Sequence, residues 1–418
     1  MLPTCGTNRP LSGLLLAWLL LLSAAGYASN YDPVAVYLTW QHHPESTMTV
    51  CWITPPDRTA DIVEYQREGS SEWQKTEGSH HVIPEAPSYL IHIAELTNLS
   101  SATNYYFRTG SDARPYKFQT MPTTLTGSIR FVSGGDMYHD EVELLDATNR
   151  QAAKTNPLFA LIGGDIAYAA DSKANYLPRW THSWIDKWIE QKIDRWLTWL
   201  ISWKNEMVTP DGRLVPILPV IGNHDTTGYF GQTPAQAPFF YGLFPMPGRH
   251  GCNVVDFGNY MSIILLDSGH THPVDGPQAE WLAKTLEQRR DVPNTFALYH
   301  VPAYPSVRKF DNDISTQIRK SWVPSFDKYK LTAAFENHDH IYKRTYPLLY
   351  GKIDPKGVLY LGDGGWGVAK PRKAKKEKRW FLAKVVSTRH FISTEVQPNK
   401  RTATAITPEG QIIDQVVF

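Results

Sequence analysis

Leu158-Phe159-Ala160-Leu161-Ile162-Gly163-Gly164-Asp165-Ile166-Ala167-Tyr168 is an apolar run closed by two glycines and an aspartate. Its short, uninterrupted hydrophobic part reads as a strand buried on both faces. The glycines let the backbone turn tightly, so the carboxylate projects from the strand's carboxyl end, where α/β sheets place ligands. One such Asp is usually a turn residue, but here the pattern repeats. Ile129–Ser133 is a second run of this kind and ends in Gly134-Gly135-Asp136, with a helical segment, Asp140–Lys154, between the two. Strand, helix and strand with matching ends predict a sheet covered by helices.

The same signature recurs downstream. Ile217–Ile221 ends in Gly222-Asn223-His224-Asp225, and Phe296–Tyr299 ends at His300. Lys330–Phe335 runs into Glu336-Asn337-His338-Asp339-His340, and Val358–Leu361 into Gly362-Asp363-Gly364-Gly365. In an extended chain the imidazoles of His338 and His340 share a face. If the backbone turns there, each ring reaches its own metal ion; a polar loop with two satisfied histidines is the alternative. Asp136, Asp165, Asn223, His300, His338 and His340 thus lie at the ends of successive apolar strands. Two Asp, one Asn and three His suit a dinuclear site of borderline or hard cations. Two such metals about 3.5–4 Å apart clamp a phosphoryl group.

The flanking regions set the domain plan. Short alternating runs between Val34 and Phe118, separated by turns such as Pro55-Pro56-Asp57, predict a β-sandwich that resembles a fibronectin type III domain over residues 31–121. His42-His43 and His80-His81 have no carboxylate at ligand spacing and read as surface residues. Residues 127–418 form the second domain. Asn253–Asp256 and Met261–Leu266 read as a hairpin, Gln278–Gln288 as a helix, and Phe391–Val396, Thr402–Ile406 and Ile412–Val417 as closing strands. Trp180, Trp184, Trp188, Trp196, Trp199 and Trp203 recur at helical spacing, which predicts one helix face packed on the sheet.

Composition narrows the function classes. With 20% charged residues and a net charge of +1 there is no general attraction to polyanions, so no nucleic-acid partner is expected. Residues 1–28 combine Arg9, the apolar run Leu14–Leu22 and the small residues Gly26-Tyr27-Ala28, which reads as a secretory signal peptide too short to span a membrane. This predicts a secreted, extracellular or periplasmic protein. Of Cys5, Cys51 and Cys252, the first would leave with the leader, so no disulfide framework is expected. Asn98-Leu99-Ser100 is a glycosylation sequon.

The ordered set Gly135-Asp136, Gly164-Asp165-Ile166-Ala167-Tyr168, Gly222-Asn223-His224-Asp225, His300-Val301-Pro302 and His338-Asp339-His340 resembles the metallophosphoesterase (calcineurin-like) superfamily. It looks most like the purple acid phosphatases, over about Tyr31 to Phe418. Tyr168 carries the closer resemblance, because most metallophosphoesterases have a His two residues after the first Asp, where this chain has Tyr138. The resemblance implies a mixed α+β chain: the fibronectin type III-like sandwich, then a four-layer α/β/β/α catalytic domain. It implies a first metal, Fe(III), on Asp136, Asp165, Tyr168 and His340. The second, Fe(II), Zn or Mn, would lie on Asp165, Asn223, His300 and His338, with Asp165 bridging. It further implies phosphate monoester hydrolysis by a metal-bound hydroxide, with His224 protonating or stabilising the leaving oxygen. The same core serves phosphodiesterases and nucleotide pyrophosphatases, and an inactive surface or binding protein could retain the fold.

Three departures qualify the match. Tyr138 replaces the family's glycine and could itself offer a phenolate. Asn337 stands where the family has Gly, and Asn tolerates a left-handed backbone. The family's substrate-contacting histidines have no match in Pro305–Asp313, which leaves Arg308 and Lys309, with Asn223 and His224, as candidates for phosphate contact. Gly269-His270-Thr271-His272 imitates the last motif but precedes His300, against the family order, and reads as a loop near the site. The basic stretch Lys370–Arg379 reads as a solvated loop or a pocket rim for polyphosphorylated substrates.

Overall fold

The structure is a computed structural model that describes residues 32–111, 113–170, 193–247, 251–373 and 379–418. The leader-like segment, Trp180, Trp184 and Trp188, and the middle of the basic stretch lie outside them. Strands β1 (Ala35–Thr39), β2 (Met48–Thr54), β3 (Ile62–Arg67), β4 (Gln74–Glu77), β5 (Ser79–His81), β6 (Leu90–Leu96), β7 (Asn104–Arg108) and β8 (Tyr116–Gln119) form the expected sandwich. Its two antiparallel four-stranded sheets are ordered β1-β2-β6-β5 and β4-β3-β7-β8.

β1 and β2 are buried on both faces, whereas a free sandwich would expose one. The following domain covers them. Trp40 meets Phe159 and Phe257 edge-on at 6.0 and 5.8 Å, and the buried Lys204 ammonium donates to Asp32 Oδ2 and the Pro33 carbonyl at 3.0 Å. The helix Ile193–Glu206 lies against β1 on one side and the helix Val142–Ala153 on the other. Trp196, Trp199 and Trp203 are fully buried on it, and Trp203 Nε1 donates to the Val215 carbonyl at 3.0 Å. Trp196 and Trp199 meet Phe244 at 6.1 and 6.3 Å, Phe244 in turn meets Tyr37 of β1 at 5.8 Å, and Trp203 approaches Trp366 at 6.5 Å, so the described part of the tryptophan face packs within the second domain and reaches the sandwich through Phe244.

The second domain is built on two sheets. In the first, β9 (Ile129–Gly134), β10 (Phe159–Ile162) and β11 (Ile217–Pro219) run parallel, and β21 (Phe391–Gln397), β22 (Lys400–Ile406) and β23 (Ile412–Val417) extend it antiparallel in the order β11-β10-β9-β21-β22-β23. In the second, β13 (Met261–Leu265), β14 (Thr295–Leu298), β15 (Ala333–Glu336) and β19 (Leu359–Gly362) are parallel. The antiparallel β12 (Asn253–Phe257), β16 (Tyr342–Thr345) and β20 (Leu382–Val386) flank them, and β17 (Leu348–Leu349) and β18 (Lys352–Ile353) form a separate hairpin.

Alternate residues of the second sheet face different layers. Phe296 and Leu298 enter the core between the sheets, while Ala297 and Tyr299 pack with Leu282, Leu286, Ile318 and Phe326 from the covering helices. Between the sheets Phe131 stacks on Phe159 at 5.1 Å and meets Phe296 and Phe335 edge-on at 5.6 and 5.7 Å. This is the four-layer arrangement the family resemblance implies. It brings the carboxyl ends of β9, β10, β11, β14, β15 and β19 to one edge. No helix among the described residues is long and apolar enough to cross a membrane, and the buried Cys51 and Cys252 are not joined in a disulfide.

Phe131 joins both sheets, so Phe131→Ala should cost about 3–5 kcal/mol, the range for a large buried aromatic. Chemical denaturation of the metal-loaded protein measures this; a loss below about 1 kcal/mol would show that the aromatic cluster does not hold the sheets together.

Candidate metal centre

The loops that follow the strands lie side by side. Asp136 N donates to the Gly164 carbonyl, Met137 N to that of Asp165 and Tyr138 N to that of Ile166, each at 3.0 Å. Five of the seven candidate ligands have left-handed backbones: Asp136 (φ 56°), Asp165 (50°), Tyr168 (49°), His338 (78°) and His340 (59°). Each such residue costs roughly 1–2 kcal/mol, strain that persists only where the surroundings enforce it. The expectation that Asn337 would take this conformation is corrected, because the two histidines after it take it instead. Asn337 serves another purpose. Its backbone N donates to the His300 carbonyl at 2.9 Å, and its amide Nδ2 donates to the Tyr299 carbonyl at 3.1 Å. That side chain fills the space over Gly163, where a Cβ would come within 2.0 Å of Nδ2.

All seven candidates converge, and all are buried. Around Asp136 Oδ1 lie the Tyr168 hydroxyl at 2.9 Å and His340 Nε2 at 2.8 Å, with 3.1 Å between the latter two. Asp136 Oδ2 accepts from His338 N at 2.8 Å. A Cβ on Gly364 would sit 1.7 Å from that oxygen, which explains the glycine there. Around His300 Nε2 lie Asp165 Oδ2 at 3.1 Å, Asn223 Oδ1 at 3.2 Å and His338 Nδ1 at 3.0 Å.

The tautomer of His300 makes this second group informative. Its Nδ1 is 2.8 Å from the Gly163 carbonyl, which can only accept, so Nδ1 carries the proton and Nε2 of the neutral ring is bare. Bare nitrogen and oxygen atoms therefore point at one place, and the buried Asp165 Oδ2 accepts no hydrogen bond. Burial works against a charged His300, but the Asp165 carboxylate outweighs it and pushes the pKa up to about 9. A positive charge is thus drawn to Nε2, as a second proton when no metal is bound or as a metal on the bare nitrogen in its place. Burial, with Asp136 beside it, pushes the Tyr168 phenol well above its usual pKa, so ionising that phenol also requires a cation. The donor set fits two ions: Asp136, Tyr168 and His340 on one side, Asn223, His300 and His338 on the other, and Asp165 between.

His224 lies over this cluster, its ring stacked on Tyr168 at 4.6 Å and its backbone N donating to Asp165 Oδ1 at 2.7 Å. Tyr138 is directed elsewhere, under the Arg195 guanidinium at 4.1 Å, so Tyr168 supplies the phenol of the cluster. Arg308 is committed to the loop itself: its Nη1 donates to the His338 carbonyl and to Asp339 Oδ1 at 2.8 Å. Lys309 is exposed. His270 of the imitating motif is buried with its ring 5.5 Å from that of His300, held by Ser268 and the Tyr229 carbonyl. In the basic stretch, Arg372 N donates to the His340 carbonyl at 3.0 Å.

Asp339 and His139 escaped the sequence reading, whereas Asp225, readable as an orienter of His224 or as a turn residue, accepts backbone bonds as a turn residue does. Asp339 accepts from Val307 N at 2.7 Å and Arg308 N at 3.2 Å, fixing the turn that carries both histidines. Asp225 accepts from Ile166 N and Gly222 N, each at 2.9 Å, tying the Asp165 and Asn223 loops together. Burial beside Asp165 raises the Asp225 pKa to about 7. His139 lies 4.7 Å from the Tyr168 ring and 5.1 Å from the His340 ring, with Nδ1 2.5 Å from Asp140 Oδ2. Each stands one to three residues from a motif residue, but spacing alone does not distinguish such a support from a turn.

Gly163→Ala should clash with Asn337 and lower the bound metal severalfold, read by elemental analysis. Gly163→Ala combined with Asn337→Gly removes the clash and should restore much of it. A double variant no better than the single one would show that the packing of Asn337 is not the reason for the glycine.

Comparison with known proteins agrees with this geometry. Residues 33–120 match the family model of the purple acid phosphatase N-terminal domain, and residues 129–342 match that of the calcineurin-like phosphoesterases. Purple acid phosphatase 22 of Arabidopsis thaliana is 23% identical over 81% of this chain and 73% of its own length. Fe(3+)-Zn(2+) purple acid phosphatase 12 of the same plant is 23% identical over 80% of this chain and 72% of its own. Among solved structures, a purple acid phosphatase from yellow lupin (Lupinus luteus) seeds superposes with a TM-score of 0.72 at 16% identity, covering 92% of this chain and 74% of that one. With its strand-end motifs, its sandwich and its two-sheet domain accounted for, the chain belongs to the calcineurin-like phosphoesterase family, in its purple acid phosphatase branch.

Proposed function

We propose that the protein is a secreted phosphatase that hydrolyses phosphate monoesters of small molecules. It would hold Fe(III) on Asp136, Asp165, Tyr168 and His340, and Fe(II), Zn or Mn on Asp165, Asn223, His300 and His338. The observation that carries this reading is the meeting of bare donor atoms at His300 Nε2. A buried phenol and two carboxylates are hard donors suited to the ferric ion, and the Fe(3+)-Zn(2+) relative supports that pairing. Two cations in these positions offset the negative charge of a bound phosphate and supply an activated water.

The chain's own side chains do the rest. His224, stacked on Tyr168, is placed to donate a proton to the leaving oxygen. Arg372 replaces Arg308 and Lys309 as the phosphate-binding cation. Its guanidinium is half-buried within reach of the charges of Arg308, Asp136 and Asp339, and no hydrogen-bond acceptor among the described residues engages it. An arginine held in reserve there favours the dianion of a monoester over the single charge of a diester. No donor of the set is missing, which speaks against an inactive binding protein. The reading of residues 1–28 as a leader supports secretion, and the sequon residue Asn98 is exposed beyond β6.

Purified protein should turn over an aryl phosphate monoester with a higher kcat/KM than the matching diester. No turnover of either after reconstitution with iron and zinc would overturn the enzymatic reading. The tyrosinate band in the visible spectrum should vanish in Tyr168→Phe; a band that persists there but vanishes in Tyr138→Phe would reassign the ligand.

Arg372→Ala removes a charge-assisted contact worth about 1.5–3 kcal/mol, so KM should rise roughly tenfold or more with kcat and metal content little changed. An unchanged KM would exclude Arg372 from the phosphate site.

A further inference from the structure

The sandwich carries a second group of donor atoms that the phosphoesterase chemistry does not use. His80, on the three-residue edge strand β5, stands directly opposite His92 on β6. Asp61, at the entrance to β3, reaches them from the other sheet, nineteen residues before His80 in sequence. That crossing explains why His80 reads as a surface residue without a carboxylate partner: the partner comes from another sheet, and no spacing along one strand encodes it. We propose that Asp61, His80 and His92 bind a divalent transition metal of the zinc class, which clips the two sheets together at their open edge.

The geometry supports this in several ways. His92 Nδ1 is 2.6 Å from Asp61 Oδ1, and His80 Nδ1 is 2.9 and 3.0 Å from the two Asp61 oxygens. One donor atom from each residue lies within 4.8 Å of the others. His92 is fixed before any metal arrives. Its ring stacks on Trp52 with centroids 4.8 Å apart and planes 10° apart, and Nε2 is 2.8 Å from Thr54 Oγ1. The Thr54 hydroxyl has a single proton and two carbonyls, of Pro55 and Arg58, at 3.0 Å. With that proton on a carbonyl, His92 donates from Nε2 and turns a bare Nδ1 towards the carboxylate. An outer nitrogen held by an oxygen, with the inner one left bare, is the usual support of a metal-ligating histidine.

Charge and access agree. With Nδ1 bare, two lone-pair atoms face each other at 2.6 Å and require a cation beside them. The side chains of His80 and Asp61 are 32% and 18% exposed, leaving a path for the ion and a fourth position for water. Two imidazoles and one carboxylate suit zinc or its neighbours rather than calcium or magnesium. Gly78 N donates to the Asp61 carbonyl at 2.8 Å, which extends the β3–β4 ladder by one residue and fixes Asp61 beside the chain that leads into β5.

The test uses the full, tag-free chain with its catalytic metals in place, exposed to zinc and freed of excess by gel filtration. Wild type should retain one equivalent of zinc more than either His80→Ala or Asp61→Asn, and added zinc should raise its thermal midpoint but not theirs. Phosphatase activity should be the same in all three proteins. Both substituted side chains lie at the surface of the sandwich, and circular dichroism verifies folding before metals are counted. The wild-type minus variant difference reads this site whatever the catalytic pair holds. A wild type with no extra equivalent and no thermal shift would overturn the proposal. So would variants that keep both, and the three residues would then form a plain hydrogen-bonded cluster in which Thr54 donates to His92.

Discussion

Bare donor atoms cannot be crowded around His300 without a cost, and that repulsion is the constraint on which the catalytic half of the molecule depends. Asp165 Oδ2, Asn223 Oδ1 and His338 Nδ1 crowd within 3.0–3.2 Å of His300 Nε2 inside the protein, where low polarity makes every unsatisfied polar group expensive. The surrounding structure is arranged to hold them there. Left-handed backbones aim the side chains inward, and Asp225 and Asp339 satisfy the amide groups of the loops that carry them. Beneath lies a fully buried pair, Lys343 and Glu336, whose carboxylate also accepts from Tyr299 and from Ala303 N, each at 2.6 Å. A buried ion pair is weak evidence for stability, but it specifies one arrangement. Here it anchors the end of β15, immediately before the two histidines.

The strand-end residues were legible in the sequence because they obey a simple rule: an apolar run sets the direction of the strand, and a polar residue after a tight turn sits at its carboxyl edge. Asp136, Asp165, Asn223 and His300 all follow it. Tyr168 was distinguishable from Tyr138 only through family resemblance, since both lie a few residues past an aspartate. Asn337 was read as a conformational substitute for glycine, yet what matters is the space its amide fills over Gly163. Arg308 was read as a substrate contact because it is a cation near a motif; its bonds to Asp339 and the His338 carbonyl reveal a support. These misreadings share a cause. Local sequence reports backbone preference and strand direction, whereas the partner of a long side chain is chosen by packing from distant segments.

The sandwich illustrates the same limit at larger scale. Its alternating strands were readable, but the double-sided burial of β1 and β2 was not, because the covering surface comes from the helix Ile193–Glu206 and from residues near Phe257. Asp61 and His80 likewise meet only because two sheets pack. Phe244 marks the junction in retrospect, since it meets Trp196 and Trp199 of that helix on one side and Tyr37 of β1 on the other.

The position of β9 bears on how such a centre can come into being. This strand leads to Asp136 and lies between β10 and β21, and β21 spans Phe391–Gln397, after every one of the seven candidate ligands. Trp366, also late in the chain, lies over Gly134, donates from Nε1 to Asn149 Oδ1 at 2.8 Å and packs near Phe391. While the polypeptide is growing from the ribosome, the strand bearing the first ligand therefore lacks a neighbour, and its loop lacks the roof that closes it. The earlier-made sandwich has all of its strands by then, but β1 and β2 still wait for the helix Ile193–Glu206 to cover them. Assembly thus has a built-in order: the metals find their complete set of supports only after the last strands of the finished chain have closed around the centre.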